Sequence, residues 1–490
     1  MVCGIDSSTQ STKVELRAVT DGTLIATGRG IHPPTNPPVS EQDPLTWWDA
    51  LRTALAQVAE HLGDVVAVAV AGQQHGLVVL DTRGRPIRDA KLWNDTTSAP
   101  QATALTERLG AQAWARACGL VPVASFTVSK LAWLAEHEPD NLARADRVML
   151  PHDYLTWRLC GEHVTDRGDA SGTGWWSPFR GEYDAELLAT AVDDAQAWLP
   201  RLPRVLAPDE AAGTIGSDIA DELGLPAGAV VAAGTGDNMA AALGLGLQPA
   251  DVVVSLGTSG TVYARSEIPT ADATGLVAGF ADATGDYLPL VCTLNATKVT
   301  DTVGRLLGVD PPTLASLALE GPPDNVAVLV PYLDGERSPN LPAATGLLTG
   351  LRTGTTPADL SRAAHVGVLC NLLEGGDALC RAGVDTSGRR LLIGGGARSP
   401  AYRQLAADLW AGPVVVPDAE ETVATGACVQ AATAVSGSVF DRVTTDWGLG
   451  AGKVVEPSGN VDAAGQRAAY RVAAAAAAGL ATGSPTETPA

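Results

Sequence analysis

At 490 residues the chain exceeds what one hydrophobic core usually serves, and its 46% hydrophobic content is enough to fill two. A net charge of −22 excludes nucleic acid and anionic membrane as general partners, while leaving room for a local phosphate site built from backbone amides. Seven cysteines, odd in number and without a CxxC pair, argue against a disulfide framework or a structural zinc and for the reducing cytoplasm. The chain opens on a strand pattern rather than a basic and then apolar leader, so no signal peptide is expected, and no charge-free apolar run predicts a membrane span.

In chain order, the apolar runs predict strands over 2–5, 13–19 and 24–28, with turn residues between them. A Pro-rich loop over 33–44 precedes helical spacing over 45–62. The continuous apolar run 65–70 reads as a buried strand, followed by Gly72-Gln73-Gln74-His75-Gly76 and a short strand over 77–80. Helical patterns dominate 99–159, and a buried strand returns at 229–233 before Gly236-Asp237-Asn238 and a helix starting near Met239. Gln248-Pro249-Ala250-Asp251 punctuates the chain, which places two α/β domains at 1–248 and 249–490. The second half repeats the strand–loop–strand pattern at 252–263, then predicts a helix over 357–382, a strand over 390–393, Gly394-Gly395-Gly396 and a helix over 402–409. An Ala-rich terminal helix over 472–481 gives way to a disordered tail from about 482.

The two strand–loop–strand segments share one design. The loops over 8–13 and 257–260 are turns rich in small residues whose amides and hydroxyls suit phosphate oxygens, so a nucleoside triphosphate held between two halves is expected. Asp6, at the mouth of the first turn, has the placement of a Mg²⁺ ligand, or of an Asp capping its own turn. Lys13 reads as a phosphate contact or as a solvated strand residue. Asp237 reads either as a helix N-cap or as a general base kept ionised by the helix N-terminus. Gln74 and His75, at the end of a buried strand, offer hydrogen bonds to hydroxyl groups, and Trp93-Asn94-Asp95 sets an aromatic wall beside polar groups; either can equally be structural. Gly394-Gly395-Gly396-Ala397 suits a nucleoside lying against bare backbone, while neither GxxxxGK[ST] nor GxGxxG is present.

As an ordered set these motifs resemble the FGGY family of carbohydrate kinases, within the actin and hexokinase superfamily. Gly72-Gln73-Gln74-His75-Gly76 is similar to the family's Gly-Gln-Met-His-Gly sugar element. Leu92-Trp93-Asn94-Asp95, Leu150-Pro151-His152-Asp153-Tyr154-Leu155, Thr165-Asp166 with Asp169-Ala170-Ser171-Gly172-Thr173, Gly236-Asp237-Asn238, the segment 331–339 and Gly394-Gly395-Gly396-Ala397-Arg398-Ser399-Pro400 follow in the family's order. The resemblance implies two RNase-H-like domains around a deep interdomain cleft, and transfer of the ATP γ-phosphoryl to a small sugar, D-xylulose at O5. It makes Asp237 the base and Asp6 the Mg²⁺ organiser. Gln74, His75, Asp95 and Asn238 would position the sugar, Ser8, Thr9, Lys13, Gly257, Thr258 and Ser259 would surround the phosphates, and Gly395, Gly396 and Ala397 would meet the adenosine. Two positions depart from the pattern: Gln74 stands where Met is usual, and Ser8 where many relatives have Gly. Gln74 leaves another ketose or polyol, such as ribulose, a sugar acid or glycerol, open as acceptor. A non-catalytic sensing relative is the third reading, and a homodimer is left open.

Overall fold

The computed structural model describes residues 1–324, 326–419 and 421–482. The tail expected from about 482 lies almost wholly outside the described residues. The chain divides into two compact units that are not continuous halves. The first comprises Met1–Leu247 together with Glu267–Leu288 and Ala419–Gly450; the second comprises Gln248–Ser266, Pro289–Asp418 and Ala451–Ala490.

In the first unit a seven-stranded sheet runs in the order Ala211–Thr214, Val230–Ala232, Ala67–Gly72, Val2–Ser7, Ser11–Arg17, Leu24–Ile31, with Thr235–Gly236 also pairing Ala67–Gly72. Val2–Ser7 lies antiparallel to Ser11–Arg17 and parallel to Ala67–Gly72, so Asp6 sits opposite both Lys13 and Ala71. Every residue of Val2–Ser7 and of Ala67–Gly72 is buried, as expected for strands covered on both faces. The helix expected over 45–62 is Pro44–Ala56, capped by the Asp43 carboxylate, with a separate 3₁₀ turn at Ala59–Asp64. The helical region 99–159 is interrupted by the strand Arg147–Met149, which pairs with Val78–Leu80 in a small sheet of its own. Three residues are too few for period-2 patterning to show in sequence.

The second unit repeats the arrangement. Its sheet includes, in order, Tyr287–Thr293, Gly260–Ala264, Val252–Leu256, Arg390–Ile393, Val414–Pro417 and Gly452–Val455. The strand that opens each sheet has an antiparallel partner on one side and a parallel partner on the other. The parallel partner requires a crossover, supplied here by helices such as Pro357–Arg381. Both units thus carry the RNase-H-like α/β order that the resemblance implies. Among the described residues no single helix is long and apolar enough to cross a membrane.

One packing contact fixes the helix Asp237–Gly244. It lies so close to the helix Thr422–Ser436 that a Cβ on Gly244 would come 1.9 Å from the Thr422 carbonyl, and one on Gly426 would come 1.7 Å from the Ala240 carbonyl. Only glycine at both positions allows that approach. The long-range partner at 422–436 belongs to the first unit although it comes late in the chain.

Candidate active site

In the first unit, Asp237 is the first residue of its helix, and Gly236 takes the cap position without a side-chain bond. The capping reading of Asp237 therefore does not hold. Its Oδ1 accepts from the Asn238 amide at 2.8 Å and from Asn238 Nδ2 at 2.9 Å, while no described residue donates to Oδ2. Burial pushes the carboxyl up to about 6, against the lowering effect of the Asn238 bonds. The helix N-terminus favours the ionised form, and desolvation works against it. A carboxylate near 6 is still mostly ionised at neutral pH and is a stronger proton acceptor than an exposed one.

Asn238 Nδ2 also donates to Gln74 Oε1 at 2.8 Å, and Gln74 Nε2 approaches Met239 Sδ at 3.2 Å. Gln74, Asp237 and Asn238 thus form one connected group. His75 has a left-handed backbone (φ 63°), an uncommon conformation for a residue with a Cβ. Its ring packs on Phe126 and Phe280, with centroids at 5.3 and 5.1 Å, and Nδ1 lies 3.7 Å from Asp169 Oδ1.

Asp6 is 4% exposed, and its buried Oδ1 has no hydrogen-bond partner among the described residues. Burial drives it up to about 7; Lys13, 3.9 Å away, lowers it, and Asp237, Glu421 and Glu15 raise it further. Lys13 makes its closer pair with Glu421 at 2.5 Å. Ser8 spends both its amide and its hydroxyl on the Ser11 carbonyl. The Thr9 hydroxyl donates to Gln73 Oε1 and accepts from Trp93 Nε1, which ties the first loop to the strand end at 73.

Asp95 stands apart from this group. It is fully buried and accepts from Ser40 N, Thr97 N, Thr97 Oγ1 and Lys91 Nζ. Burial raises it, but these donors more than compensate and hold it below the usual carboxylate range. Both its oxygens order the loop around it.

A second cluster was not singled out as functional from sequence. His152 is wholly buried, with Nε2 at 3.1 Å from Asp153, 3.2 Å from Asp166 and 3.5 Å from Asp169. Burial lowers His152, yet Asp153, Asp166 and Asp169 outweigh it and raise it to about 9, while burial raises Asp153 to about 6 and Asp169 well above the usual carboxylate range. Asp166 accepts the Thr235 hydroxyl at 2.8 Å, two residues before Asp237, and Asp169 flanks His75. The cluster therefore stands behind both ends of the polar group. In sequence, His152-Asp153 and Asp166 with Asp169 stand only as two separate motif segments of the family resemblance, which spacing alone does not bring together.

In the second unit, a cavity of about 730 Å³ is lined by Gly257, Thr258, Gly395 and Gly396 among the expected residues. Ser259 and Ala397 are not on its wall; Ala397 is 5% exposed. Gly394 turns the chain at φ 85°, where a Cβ would meet the Leu256 carbonyl at 2.7 Å, and a Cβ on Gly395 would meet nothing within 4 Å. The carbonyls of Gly257 and Thr258 accept from the amides of Thr297 and Ala296, which joins the loop to the start of the helix Thr297–Leu307. The rest of the wall includes Pro311, Leu314, Ala315, His365 and Tyr402, which no sequence motif marked.

Two units with this duplicated strand order, an acid at a helix start in one and a glycine-walled cavity in the other, have the build of a sugar kinase. The chain belongs to the FGGY family of carbohydrate kinases: residues 1–244 match the family's N-terminal domain and residues 252–435 its C-terminal domain. It is an ATP-dependent sugar kinase. It is 51% identical to the xylulose kinase of Streptomyces coelicolor, over 93% of this chain and 92% of that relative. It is 36% identical to the xylulose kinase of Haemophilus influenzae, over 88% and 90%. The crystal structure of xylulose kinase from Bifidobacterium adolescentis matches with a TM-score of 0.84 at 41% identity, covering 96% of this chain and 99% of that one.

Proposed function

We propose that the protein phosphorylates D-xylulose at O5 with ATP, and that Asp237 accepts the hydroxyl proton. The observation that carries the assignment of the base is the polar group around Asp237: a carboxylate with one oxygen held by Asn238, the other without a donor among the described residues, and a carboxyl pushed up to about 6. The sugar assignment rests on the likeness to xylulose kinases along nearly the whole chain. Asn238 and Gln74 bind sugar hydroxyls in this reading, and His75, held by Phe126 and Phe280, presents a third polar edge. Asp95 supports the loop beneath and makes no sugar contact.

The cavity wall at Gly257, Thr258, Gly395 and Gly396 takes the nucleotide, with the amides and hydroxyls of the 257–258 loop toward the phosphates. Mg²⁺ fits at Asp6, whose buried Oδ1 has no hydrogen-bond partner among the described residues. The cation would neutralise charge on the phosphate oxygens, which is where phosphoryl transfer needs help. Lys13 balances Asp6 and Glu421. Most of the protein's part is positioning and charge stabilisation.

The test is a coupled ADP-release assay over a panel of ketoses and polyols, with Asp237→Ala alongside. We expect turnover on D-xylulose and its loss by about 10³-fold or more in the variant, with the circular dichroism of a folded protein. Near-normal turnover of the variant would refute the base. Activity on ribulose, a sugar acid or glycerol with none on D-xylulose would overturn the substrate.

A further inference from the structure

We propose that His365 selects the nucleobase of the phosphoryl donor, by accepting a hydrogen bond from the 6-amino group of adenine. The inference rests on the reading that the cavity of the second unit holds the nucleotide.

The cavity has two kinds of wall. Gly257, Thr258, Thr297, Gly395 and Gly396 expose backbone and hydroxyls, whereas Pro311, Pro312, Leu314, Ala315, Tyr402 and His365 form an apolar and aromatic stretch suited to a flat base. His365 belongs to the helix Pro357–Arg381 and is 3% exposed. Its ring packs against Tyr402, with centroids 4.6 Å apart, and the Tyr402 hydroxyl is itself bound to Thr300 Oγ1. The ring is therefore held in place before any ligand enters.

Its protonation follows from one bond. His365 Nδ1 lies 2.8 Å from the Ser361 carbonyl oxygen, which can only accept, so Nδ1 carries the hydrogen. Burial pushes the ring down to about 4, so it is neutral at physiological pH. A neutral ring with hydrogen on Nδ1 leaves Nε2 as a bare acceptor. Nε2 makes no hydrogen bond to any described residue, and it is not among the polar atoms sealed off without a partner. An acceptor fixed on the apolar wall of a nucleotide cavity attracts an exocyclic amine and repels a 6-oxo group. Adenine carries the former at that position; hypoxanthine and guanine carry the latter.

The experiment measures binding of ADP, IDP and 2′-deoxy-ADP to the full chain by calorimetry. ADP and IDP differ at the 6-position, and the deoxy compound tests whether Nε2 meets the ribose instead. We expect wild type to bind ADP about tenfold more tightly than IDP, the scale of one hydrogen bond made or left opposed. His365→Leu, which keeps the bulk and removes the acceptor, is expected to bring ADP and IDP within about twofold, by weakening ADP and relieving the opposition to IDP. Equal binding of ADP and IDP by wild type would overturn the His365 assignment while leaving the nucleotide site standing, and this needs no variant. A loss on 2′-deoxy-ADP that disappears in His365→Leu, with ADP and IDP alike, would likewise overturn it. Failure of every nucleotide to bind would remove both readings.

Discussion

Asn238 Nδ2 donates to Gln74 Oε1 at 2.8 Å, joining side chains 164 positions apart at the strand end and helix start proposed to hold the sugar. Methionine, usual in the family at position 74, could not accept this bond in the same way. In Gln74→Met, Asn238 keeps its bond to Asp237 but loses the one that fixes its outer face. The sugar KM should rise about three- to tenfold with kcat changed less than about twofold. Steady-state kinetics on D-xylulose measure this, and an unchanged KM would mean that the Gln74 amide does not take part in binding.

Asp237 must be ionised to act as a base. With its carboxyl at about 6, kcat/KM for the sugar should climb with pH below that value and level off above it. The Asn238 bonds lower this value, so Asn238→Ala should shift the acid limb to higher pH. A pH–rate profile of both proteins decides the matter; an acid limb that stays put in the variant would dissociate it from Asp237.

Asp6 gives a stability prediction of a definite sign. Its folded value of about 7 lies above that of an unfolded carboxylate, so the native state holds the proton more tightly. Ionising it costs stability, and the loss accumulates as pH rises from about 4 through about 7. Asp6→Asn should therefore raise stability at pH 8 by about 1–3 kcal/mol while sharply reducing turnover. Urea unfolding at pH 5 and pH 8, with parallel assays, checks both halves.

The His152 cluster predicts a second decline of the same sign, at higher pH. His152 is raised to about 9 by Asp153, Asp166 and Asp169, so the stability it contributes is fully present below about 6.5 and is lost as pH rises through about 9. Thermal unfolding of wild type should show that alkaline decline. His152→Gln leaves buried carboxylates without their cation and should cost about 3–5 kcal/mol at pH 7, with a flatter profile between pH 7 and 9. A variant as stable as wild type at pH 7 would show that the carboxylates are already neutral.

Much of this architecture was legible in the linear chain, because strands, turns and helix starts are signalled by neighbours a few positions away. The runs before Ser8 and Gly257, the apolar strand before Gln74, and the glycine triplet after Ile393 all lie where alternation and turn chemistry put them. Local patterning also located Asp237 at a helix start. Only tertiary structure decided what those residues became. Burial raised Asp237 where the helix terminus alone would have lowered it, and four donors consumed Asp95. Three acids gathered on His152, and His365 came to line a cavity with one ring nitrogen already committed. Acidity, saturation and cavity walls are sums over neighbours in space, and the fold draws those neighbours from distant parts of the chain.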